Sequence, residues 1–502
     1  MSQLSVLLAT EGTYPFAGGG VSTWCDILIR GLPEVDFTLY AVTGTPNVAY
    51  RYDLPANVRR VIHIPLWGTE GPAEYILADL PFAQIYRRKR ATTEEVIAQR
   101  FIPLFRRFLE GVEVRETSVT DYGLVIHGLY RYFQEYDYNL TFKSQQTWEV
   151  FKEETLRSYR EHPGAFRGDE VPNAFDLTTA LRWLYNMLMP LNAPVPRTDI
   201  VHTTVAASCG LAGIIAKFEY GTPFIVTDHG VYARERYIAV SATDFTFFAK
   251  RFLINLALFF SRLNYAFADQ VSPVANFNRR WEVPLGADPR RVVTIHNGVD
   301  PGRFRPAPKP AKHRDLPVAV AAARVTPIKD IKTMIRATAL ARREVPDLKV
   351  IVYGSLRADP LYVQECRDLV AELGLEERFE FGGFHSEPHR IYTEGDISLL
   401  SSISEGFPYT VLESMACGVP VVATDVGGVR EALEGVGIIV PPKDPEAFAA
   451  GMVRLLTDHN LRLTLGRRGR ETVLARFRIS ATVEGYRTAY RQMANGRQQT
   501  TG

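Results

Sequence analysis

Two carboxylates frame a predicted helix start in the segment SEGFPYTVLESMACGVPVVATDVGG, residues 404–428. Pro408 suits the first position of a helix that runs over about 409–417. Glu405 then lies in the loop before the helix, and Glu413 lies about one turn inside it. The free N–H groups of such a helix start attract an anion, and carboxylates beside it suit neutral hydroxyl groups. A helix-capping role for Glu405 is the alternative interpretation.

Two cations follow another predicted strand, in the segment AARVTPIKDI at 322–331. Arg324 and Lys329 stand on either side of a turn at Pro327. A guanidinium and an ammonium group at a strand end can bind a diphosphate through charge-assisted hydrogen bonds, without a metal. The sequence contains no Asp-x-Asp pair that could bring a metal to the same place, and we predict no metal ligands. Two ordinary surface cations are the commoner alternative.

A glycine run near the N-terminus separates a predicted strand from a predicted helix, in LLATEGTYPFAGGGVSTW. The strand ends at Thr10, the loop contains Gly18, Gly19 and Gly20, and the helix starts near Val21. Glycines allow a ligand to approach the backbone closely, and a helix start offers N–H groups to an anion. The spacing differs from G-x-G-x-x-G, which disfavours a nicotinamide-binding fold. A tight turn without a ligand explains the run equally well.

Two histidines end predicted strands, His202 in DIVHTT and His229 in VTDHGVY. A single histidine in such a position is more often structural. Two of them at neighbouring strand ends, on the same side as the glycine loop, favour a functional role.

The composition indicates a globular protein rather than a polyanion-binding or disulfide-rich one. The chain has 502 residues, which predicts two or three domains. Its net charge of +2 gives no strong attraction to nucleic acid or to a membrane. The four cysteines are far apart and form no zinc or disulfide pattern. The N-terminal residues lack the pattern of a signal peptide, and the apolar stretch 252–268 is predicted to be a buried helix, so we expect a soluble, cytoplasmic protein.

Short apolar runs alternate with helix-length segments, which predicts an α/β fold with parallel sheets. Each half of the chain has enough strands for one doubly wound sheet. The predicted strands of the first half are SVLLAT, FTLYAV, RRVIHI, DIVHTT, PFIVTDH and DQVSPV. Those of the second half are PVAVAAA, KVIVYG, RFEFGG, ISLLSS, PVVAT and GIIVP.

The alternation fails between about 67 and 196, where long amphipathic segments predict a helical insertion in the first domain. Its aromatic stretch LYRYFQEYDYN (129–139) favours packing over a saccharide groove. A proline-rich stretch without periodicity marks the linker between the halves. We predict an N-terminal domain at 1–305, a linker at 306–316 and a C-terminal domain at 317–476. A last helix at 477–495 is predicted to cross back to the N-terminal domain, and a disordered tail follows at 496–502.

The motifs RVTPIK, TIHNGVD (294–300) and SEGFPYTVLESMACGVPVVATDVGG resemble those of the retaining GT-B glycosyltransferases of family GT4. Glu405 and Glu413 match the E-x7-E signature of that family. The resemblance covers nearly all of 317–475 and covers the first half more sparsely. The stretches LATEGTYPFAGGGVSTW and YGTPFIVTDHGVYARERYI resemble the PelF branch, cytosolic transferases of Pel exopolysaccharide synthesis. The resemblance implies two Rossmann-like domains that face a cleft.

The resemblance also assigns nucleotide-binding roles by position. Arg324 and Lys329 would neutralise the diphosphate leaving group, and Glu413 would hydrogen-bond the ribose hydroxyls. Phe384 and His385 fall where the backbone of the family contacts the base. The charge of a departing diphosphate grows as the glycosidic bond breaks, so these cations would stabilise the transition state.

The same carry-over places other residues at the sugar. Glu405 and the N–H groups of Gly406 and Phe407 would bind the donor hexose, and His229 would lie near its anomeric carbon. The remaining implied contacts, around the phosphate and the acceptor, are Gly19, Gly20, Pro408, Thr410 and Val411.

The implied activity is metal-independent, retaining transfer of a hexosyl unit from a UDP-sugar to a growing exopolysaccharide. The UDP-sugar is a co-substrate, and no cofactor is implied. The N-terminal half places no obvious nucleophile, so we favour a same-face mechanism in which the leaving phosphate helps deprotonate the acceptor. The implied partners are the polysaccharide acceptor and inner-membrane synthesis or export components, and no nucleic acid. The alternatives are a sugar-nucleotide epimerase or hydrolase of the same fold and a non-catalytic nucleotide-sugar sensor.

Overall fold

The computed structural model describes residues 3–68, 75–77, 80–113, 119–161 and 171–500. Contacts between residues divide the chain into two units, each of which contains one sheet. The first unit comprises Met1–Pro273, Arg279–Thr294 and Tyr486–Gly502, and the second comprises Val274–Asn278 and Ile295–Gly485.

Six parallel strands form the sheet of the first unit, in the order β3-β2-β1-β4-β5-β6. Apart from the edge strand β3, the interior residues of these strands are mostly buried, because helices cover both faces of such a sheet and Val, Ile and Leu suit those faces. All six strands predicted for this half are confirmed. They are β1 Leu4–Glu11, β2 Val35–Thr43, β3 Val58–Pro65, β4 Ile200–Thr203, β5 Phe224–Asp228 and β6 Gln270–Pro273.

Helices of the first unit cover this sheet and form the segment between β3 and β4. In chain order they are α1 Gly20–Gly31, α2 Phe82–Ala91, α3 Glu94–Val96, α4 Ile102–Glu113, α5 Thr120–Glu135, α6 Tyr138–Phe142, α7 Gln145–Glu161, α8 Ala174–Met187, α9 Leu211–Tyr220, α10 Tyr232–Ser241, α11 Phe247–Phe267 and α12 Arg279–Glu282. A π-helical turn at Ile97–Phe101 joins α3 to α4.

The predicted helical insertion is present over 82–187, inside the first unit. Its core is aromatic: Phe101 and Phe105 stack at 5.1 Å, and both contact Phe142. Tyr132 and Tyr138, from the stretch that could have lined a saccharide groove, are 4% and 1% exposed. These tyrosines are packing residues, as their helical spacing predicted.

Six parallel strands also form the sheet of the second unit, in the order β12-β11-β10-β7-β8-β9. The central position of β7 and β10 matters for the site, because the loops that follow neighbouring parallel strands meet at one edge. All six predicted strands are again confirmed. They are β7 Val318–Ala322, β8 Lys349–Tyr353, β9 Phe379–Gly383, β10 Ile397–Leu400, β11 Val421–Thr424 and β12 Ile438–Val440.

The helices that follow complete the second unit and the C-terminus. They are α13 Ile331–Ala341, α14 Pro360–Glu372, α15 Pro388–Thr393, α16 Tyr409–Ala416, α17 Val429–Leu433, α18 Pro445–Thr457, α19 His459–Arg476 and α20 Ile479–Thr500. Residues of α20 from Tyr486 onward belong to the first unit. The helix continues to Thr500, where Arg and Gln residues favour helix. The disordered tail at 496–502 stays a prediction, and its last two residues lie outside the described residues.

The apolar stretch 252–268 lies almost entirely in α11, where Phe252, Leu256, Phe260 and Leu263 are buried in the core of the first unit. Within the described residues, none of the helices has the length and apolar character that a membrane span requires.

Candidate active site

Hydrogen bonds join the loops that follow β7 and β10 in the second unit. Ile403 N donates to Ile328 O at 2.9 Å, and Ser401 Oγ donates to Lys329 O at 2.9 Å. The two strands pair in parallel, so their carboxyl ends lie side by side. The loop that carries Arg324 and Lys329 and the loop that carries Glu405 are therefore hydrogen-bonded to each other at one edge of the sheet.

Lys329 and Glu405 form an ion pair between these loops. Lys329 Nζ lies 2.5 Å from Glu405 Oε1, and Ser402 Oγ donates to the same oxygen at 2.5 Å. The side chains are 20% and 11% exposed, so water screens the pair weakly. The sequence predicted both residues as ligand contacts and did not predict that they contact each other. Glu405 makes no hydrogen bond as a helix cap, since α16 has no side-chain cap.

Arg324 lies exposed after the end of β7. In the part of the chain that the structure describes, its guanidinium has no ion-pair partner. The backbone at Gly354, after the end of β8, packs against the backbone of the residue before Arg324. A Cβ on Gly354 would lie 1.9 Å from Ala323 O. Gly354 thus allows the loops after β7 and β8 to approach, a role that its position after the strand KVIVY could have suggested.

Glu413 lies on α16 and accepts a hydrogen bond from Tyr392 Oη at 2.6 Å. Burial raises the pKa of the Glu413 carboxyl, and the Tyr392 hydroxyl opposes that rise. Burial together with Glu413 raises the pKa of Tyr392 as well. Tyr392 is fully buried on α15, and no motif in the sequence points to it. A buried carboxylate held by one hydroxyl retains oxygen acceptors for a further donor.

Helix α16 begins at Tyr409, as predicted, and Pro408 stands just before the helix rather than at its first position. Pro408 has an extended backbone with ψ 122° and occupies the N-cap position, because it lies outside the helical region. Thr410 is half-buried and Val411 is buried. Their backbone N–H groups lie in the first turn of the helix, where no intrahelical carbonyl accepts a hydrogen bond from them. Gly418 ends the helix with φ 72°, as predicted.

The loop before α16 is fixed from both sides. Gly428 N donates to Gly406 O at 2.7 Å, and Asn297 Nδ2 donates to Phe407 O at 2.9 Å. Gly427 has φ +58°, and a Cβ there would lie 1.9 Å from Glu405 O. Only glycine fits at position 427. Gly427 and Gly428, which follow β11, therefore position Glu405. Neither glycine has a predicted role, although both stand in the DVGG sequence that ends the motif of residues 404–428.

Phe384 and His385 follow β9, which β7 and β8 separate from β10 in the sheet. Phe384 is 73% exposed. His385 Nδ1 accepts a hydrogen bond from Glu387 N at 3.0 Å, and its ring meets Tyr353 edge-on at 5.5 Å. The structure places both residues at the carboxyl edge of the sheet but not in contact with Glu413.

The glycine loop of the first unit has the conformation that its composition predicts. Gly19 adopts φ +151° as the N-cap of α1, and Gly20 is the first residue of that helix and is exposed. A Cβ on Gly18 would lie 2.9 Å from the Arg51 guanidinium. The loop follows Glu11 at the end of β1, whose carboxylate accepts hydrogen bonds from the residues after β4.

His229 follows β5 and packs against Trp24 of α1, with ring centroids 4.8 Å apart. Burial lowers the pKa of His229 to about 3, so the ring is neutral at physiological pH. Its Nε2 atom is buried and has no hydrogen-bond partner among the described residues. A buried ring nitrogen without a partner is unusual in a folded protein and is available to a ligand.

His202 differs from His229 in that both of its ring nitrogens have partners within the fold. It is fully buried, Nδ1 lies 2.7 Å from Tyr490 Oη, and Nε2 lies 2.7 Å from Thr227 Oγ1. Thr227 donates its own proton to Tyr486 Oη, so Nε2 of His202 carries the hydrogen and Nδ1 accepts from Tyr490. Both nitrogens are used within the fold. The prediction of a functional role is wrong for this histidine.

Within the described residues no group of three or more metal-ligating side chains is close enough together to bind a metal ion. The structure thus assembles two sets of predicted residues. One lies in the second unit around Lys329, Glu405 and Glu413, and the other lies in the first unit around His229.

Comparison with known proteins identifies the family. Residues 305–472 match the family described as Glycosyl transferases group 1, and residues 4–290 match a domain of unknown function, DUF3492. A D-inositol 3-phosphate glycosyltransferase of Thermobispora bispora is 32% identical over 306 residues, which cover 57% of this chain and 68% of the relative. A protein of the same name from Saccharomonospora viridis is 30% identical over 312 residues, with 59% and 70% covered. These relatives are not PelF proteins.

Solved structures share the fold at low sequence identity. Sucrose-phosphate synthase from Thermosynechococcus elongatus matches with a TM-score of 0.61 and 20% identity, over 98% of this chain and all of that one. The Anabaena protein HepE, crystallised with UDP, matches with a TM-score of 0.59 and 16% identity, over 97% and 100%. The fold is GT-B, as predicted. The chain belongs to the group 1 glycosyltransferases, and its first unit is of the DUF3492 type.

Proposed function

We propose that the chain transfers a hexosyl unit from a UDP-sugar to a growing exopolysaccharide, without a metal and with retention of configuration. The observation that carries this proposal is the Lys329–Glu405 pair beside the start of α16, with Glu413 inside that helix. Cation, helix start and two carboxylates are the groups that a nucleotide diphosphate sugar requires. The neighbour HepE was crystallised with UDP, which supports a uridine nucleotide as the carrier.

The leaving group is UDP, and its stabilisation is the work of Arg324, Lys329 and the first-turn N–H groups of α16. Negative charge accumulates on the β-phosphate as the bond to the sugar breaks. Fixed positive groups that strengthen their contacts at that moment lower the barrier. Because Lys329 is already paired with Glu405, its ammonium group is oriented before the donor binds.

Glu413 is the residue that we assign to the ribose. Its carboxylate is anchored at one oxygen by Tyr392 and has Arg303 as a charged neighbour, and the other oxygen can accept hydrogen bonds from a bound molecule. Vicinal hydroxyls fit that requirement, since each can donate to one carboxylate oxygen. Phe384, exposed beyond β9, and His385 are assigned to the uracil side.

His229 is assigned to the transferred sugar. A neutral imidazole with an unsatisfied Nε2 supplies a hydrogen bond to a hydroxyl rather than a positive charge. The leaving group therefore depends on the cations of the second unit, and the histidine orients the sugar and its acceptor.

The reaction balances without a protein nucleophile. The acceptor oxygen bonds to the anomeric carbon while the bond from that carbon to the β-phosphate oxygen breaks. The acceptor proton passes to the departing phosphate, which leaves on the same face. Glu405 lies where it can bind hexose hydroxyls, but it shares its oxygen with Lys329 and Ser402 and is not placed as a free base.

The proposed acceptor is a growing polysaccharide. The stretches that resemble PelF support a polysaccharide acceptor, a cytoplasmic location and recruitment by inner-membrane components. The relatives are named D-inositol 3-phosphate glycosyltransferases, which makes that inositol phosphate the second acceptor to test.

The test is a donor and acceptor matrix. Purified protein is incubated with UDP-glucose, UDP-N-acetylhexosamines, GDP-sugars and ADP-sugars, each with oligosaccharide, with D-inositol 3-phosphate and without acceptor. We expect UDP release and a longer glycan only when a UDP-sugar and the oligosaccharide are both present. Transfer to D-inositol 3-phosphate instead would make that inositol phosphate the acceptor in place of the polysaccharide. A free 2-epimer or free sugar as the main product would refute transfer, and binding without turnover would indicate a sensor.

A further inference from the structure

Asp228, the residue immediately before His229, lies at the end of β5 in a fully buried position. Its carboxyl group accepts a hydrogen bond from the Tyr265 hydroxyl of α11. Glu282, the last residue of α12, is fully buried too; its carboxyl group interacts with that of Asp228, and neither of its oxygens has a hydrogen-bond donor among the described residues. Two buried acids in contact with each other thus lie next to the histidine that we assign to the sugar.

Two carboxyl groups in contact cannot both be ionised without strong repulsion, so one proton is held between them. Burial, and then the charge of Asp228, raises the pKa of Glu282 to about 9. Burial likewise raises the pKa of Asp228, against the hydrogen bond from Tyr265. The other charged groups that face the pair are Glu235 of α10, which favours the shared proton, and Arg279 of α12, which opposes it.

The turn from β5 into α10 is held at three successive residues. Asp228 is tied to α11 and α12 through Tyr265 and Glu282, and the His229 ring packs against Trp24. At Gly230 a Cβ would lie 2.0 Å from Glu235 Oε1, so the backbone is packed against that side chain. The position of the His229 ring is therefore set by the groups that hold the residue before it.

We propose that Asp228 and Glu282 are positioning residues: the proton that they share fixes the β5–α10 turn and with it the orientation of the His229 ring toward the transferred sugar. This inference rests on the proposed function for the role of His229. Loss of the shared proton leaves two buried carboxylates in contact, and the turn moves so that they separate. A displacement of about 1 Å in a positioning group is enough to cost up to about a hundredfold in rate.

Three variants separate this role from simple packing. Glu282→Gln keeps an N–H donor toward Asp228 and cannot ionise, so its turnover should stay within about threefold of wild type. Glu282→Ala removes the donor and leaves the buried Asp228 carboxylate, which keeps its hydrogen bond from Tyr265, with one partner fewer, so turnover should fall about tenfold or more while the UDP dissociation constant is unchanged. Glu110→Gln, at a surface acid paired with Arg107 in the same unit, is the control.

The pH profile supplies a readout that packing would not move. Wild-type turnover should fall above about pH 9, where Glu282 loses its proton, and Glu282→Gln should lack that alkaline fall. An unchanged alkaline fall in Glu282→Gln would overturn the proposal. So would wild-type turnover in Glu282→Ala. If Glu282→Ala fails to fold, Glu282→Gln carries the test alone.

Histidine ring resonances distinguish failure of this inference from failure of the proposed function. In protein labelled with ¹⁵N at histidine, the His229 signal is assigned by its loss in His229→Gln. It should shift above about pH 9 in wild type and not in Glu282→Gln. That result would support the coupling even if no UDP-sugar were transferred. A His229 signal with the same pH dependence in both proteins would refute the coupling even in an active enzyme.

Discussion

Lys329 Nζ and Glu405 Oε1 lie 2.5 Å apart, which joins the cation assigned to the diphosphate directly to the carboxylate assigned to the hexose. Ser402 Oγ completes the group with a 2.5 Å hydrogen bond to the same oxygen. A bound diphosphate must therefore share Lys329 with Glu405. With these assignments, we expect the pair to couple occupation of the proposed phosphate site to the orientation of the carboxylate proposed to bind the sugar.

Glu405→Gln should tighten the binding of UDP while it slows transfer. The amide removes the negative charge that competes for Lys329, and a partly exposed ion pair of this kind is worth up to about 1 kcal/mol, or roughly fivefold in affinity. The hexose loses a carboxylate acceptor, so turnover should drop. Calorimetry with UDP and an initial-rate assay measure the two effects. Weaker UDP binding in Glu405→Gln would contradict the competition, and Ser402→Ala controls for loss of the neighbouring hydrogen bond.

Arg324→Ala should lower turnover about a hundredfold, the scale of losing one fixed donor to transition-state charge. The guanidinium is exposed, so its removal should leave the stability of the second unit unchanged. Arg324→Lys should recover part of the rate, since the charge remains but the two-pronged geometry is lost. Arg336→Ala, at an exposed arginine on α13, is the matched control. Wild-type rates in Arg324→Ala would show that the diphosphate lies elsewhere.

Glu413→Ala should weaken UDP binding by roughly one to two orders of magnitude, the scale of losing a buried charged acceptor. The sharper test pairs the variant with 2′,3′-dideoxy-UDP. If Glu413 accepts from the ribose hydroxyls, the dideoxy nucleotide should bind wild type and Glu413→Ala equally weakly. A variant that weakens both nucleotides by the same factor would place Glu413 away from the ribose. Tyr392→Phe, which removes the anchor and keeps the carboxylate, should have a smaller effect.

Gly427→Ala should lose both stability and transfer. Its Cβ would lie 1.9 Å from Glu405 O, so the loop that carries Glu405 must move. Gly374→Ala is a close control: it has a similar φ of +63° but open space around the Cβ, and should cost only about 1 kcal/mol of backbone strain. Thermal denaturation and initial rates compare the two. Equal effects would mean that strain alone matters and that Gly427 does not position Glu405.

His202→Asn should make the first unit less sensitive to acid. The folded-state pKa of His202 is lowered to about 3, whereas an unfolded histidine titrates near 6.5. The unfolded chain therefore binds more protons in this window, and stability falls as pH drops from about 6.5 toward 3, by up to about 1.4 kcal/mol per pH unit for this group. Asn keeps a donor and an acceptor without titrating. Urea midpoints at pH 7, 6 and 5 should converge for wild type and variant, and parallel curves would contradict the assignment.

Sequence by itself determined the twelve strands, the two doubly wound sheets and the helical insertion. Buried parallel strands require unbroken apolar runs, and such runs are visible without coordinates. It also determined which loops carry chemistry, because a strand end followed by charged residues or glycine is a local pattern. The identities of Arg324, Lys329, Glu405, Glu413 and His229 as candidates follow from those patterns and from family resemblance.

Only the tertiary structure decided which of these side chains act on each other. The Lys329–Glu405 pair and the Tyr392–Glu413 hydrogen bond join residues 76 and 21 positions apart. His202 and His229 look alike in the sequence, yet two tyrosines from the last helix and Thr227 enclose the first, and the second keeps an unsatisfied nitrogen. Hydrogen-bond satisfaction is a property of the neighbours that packing supplies, and the local sequence does not contain it.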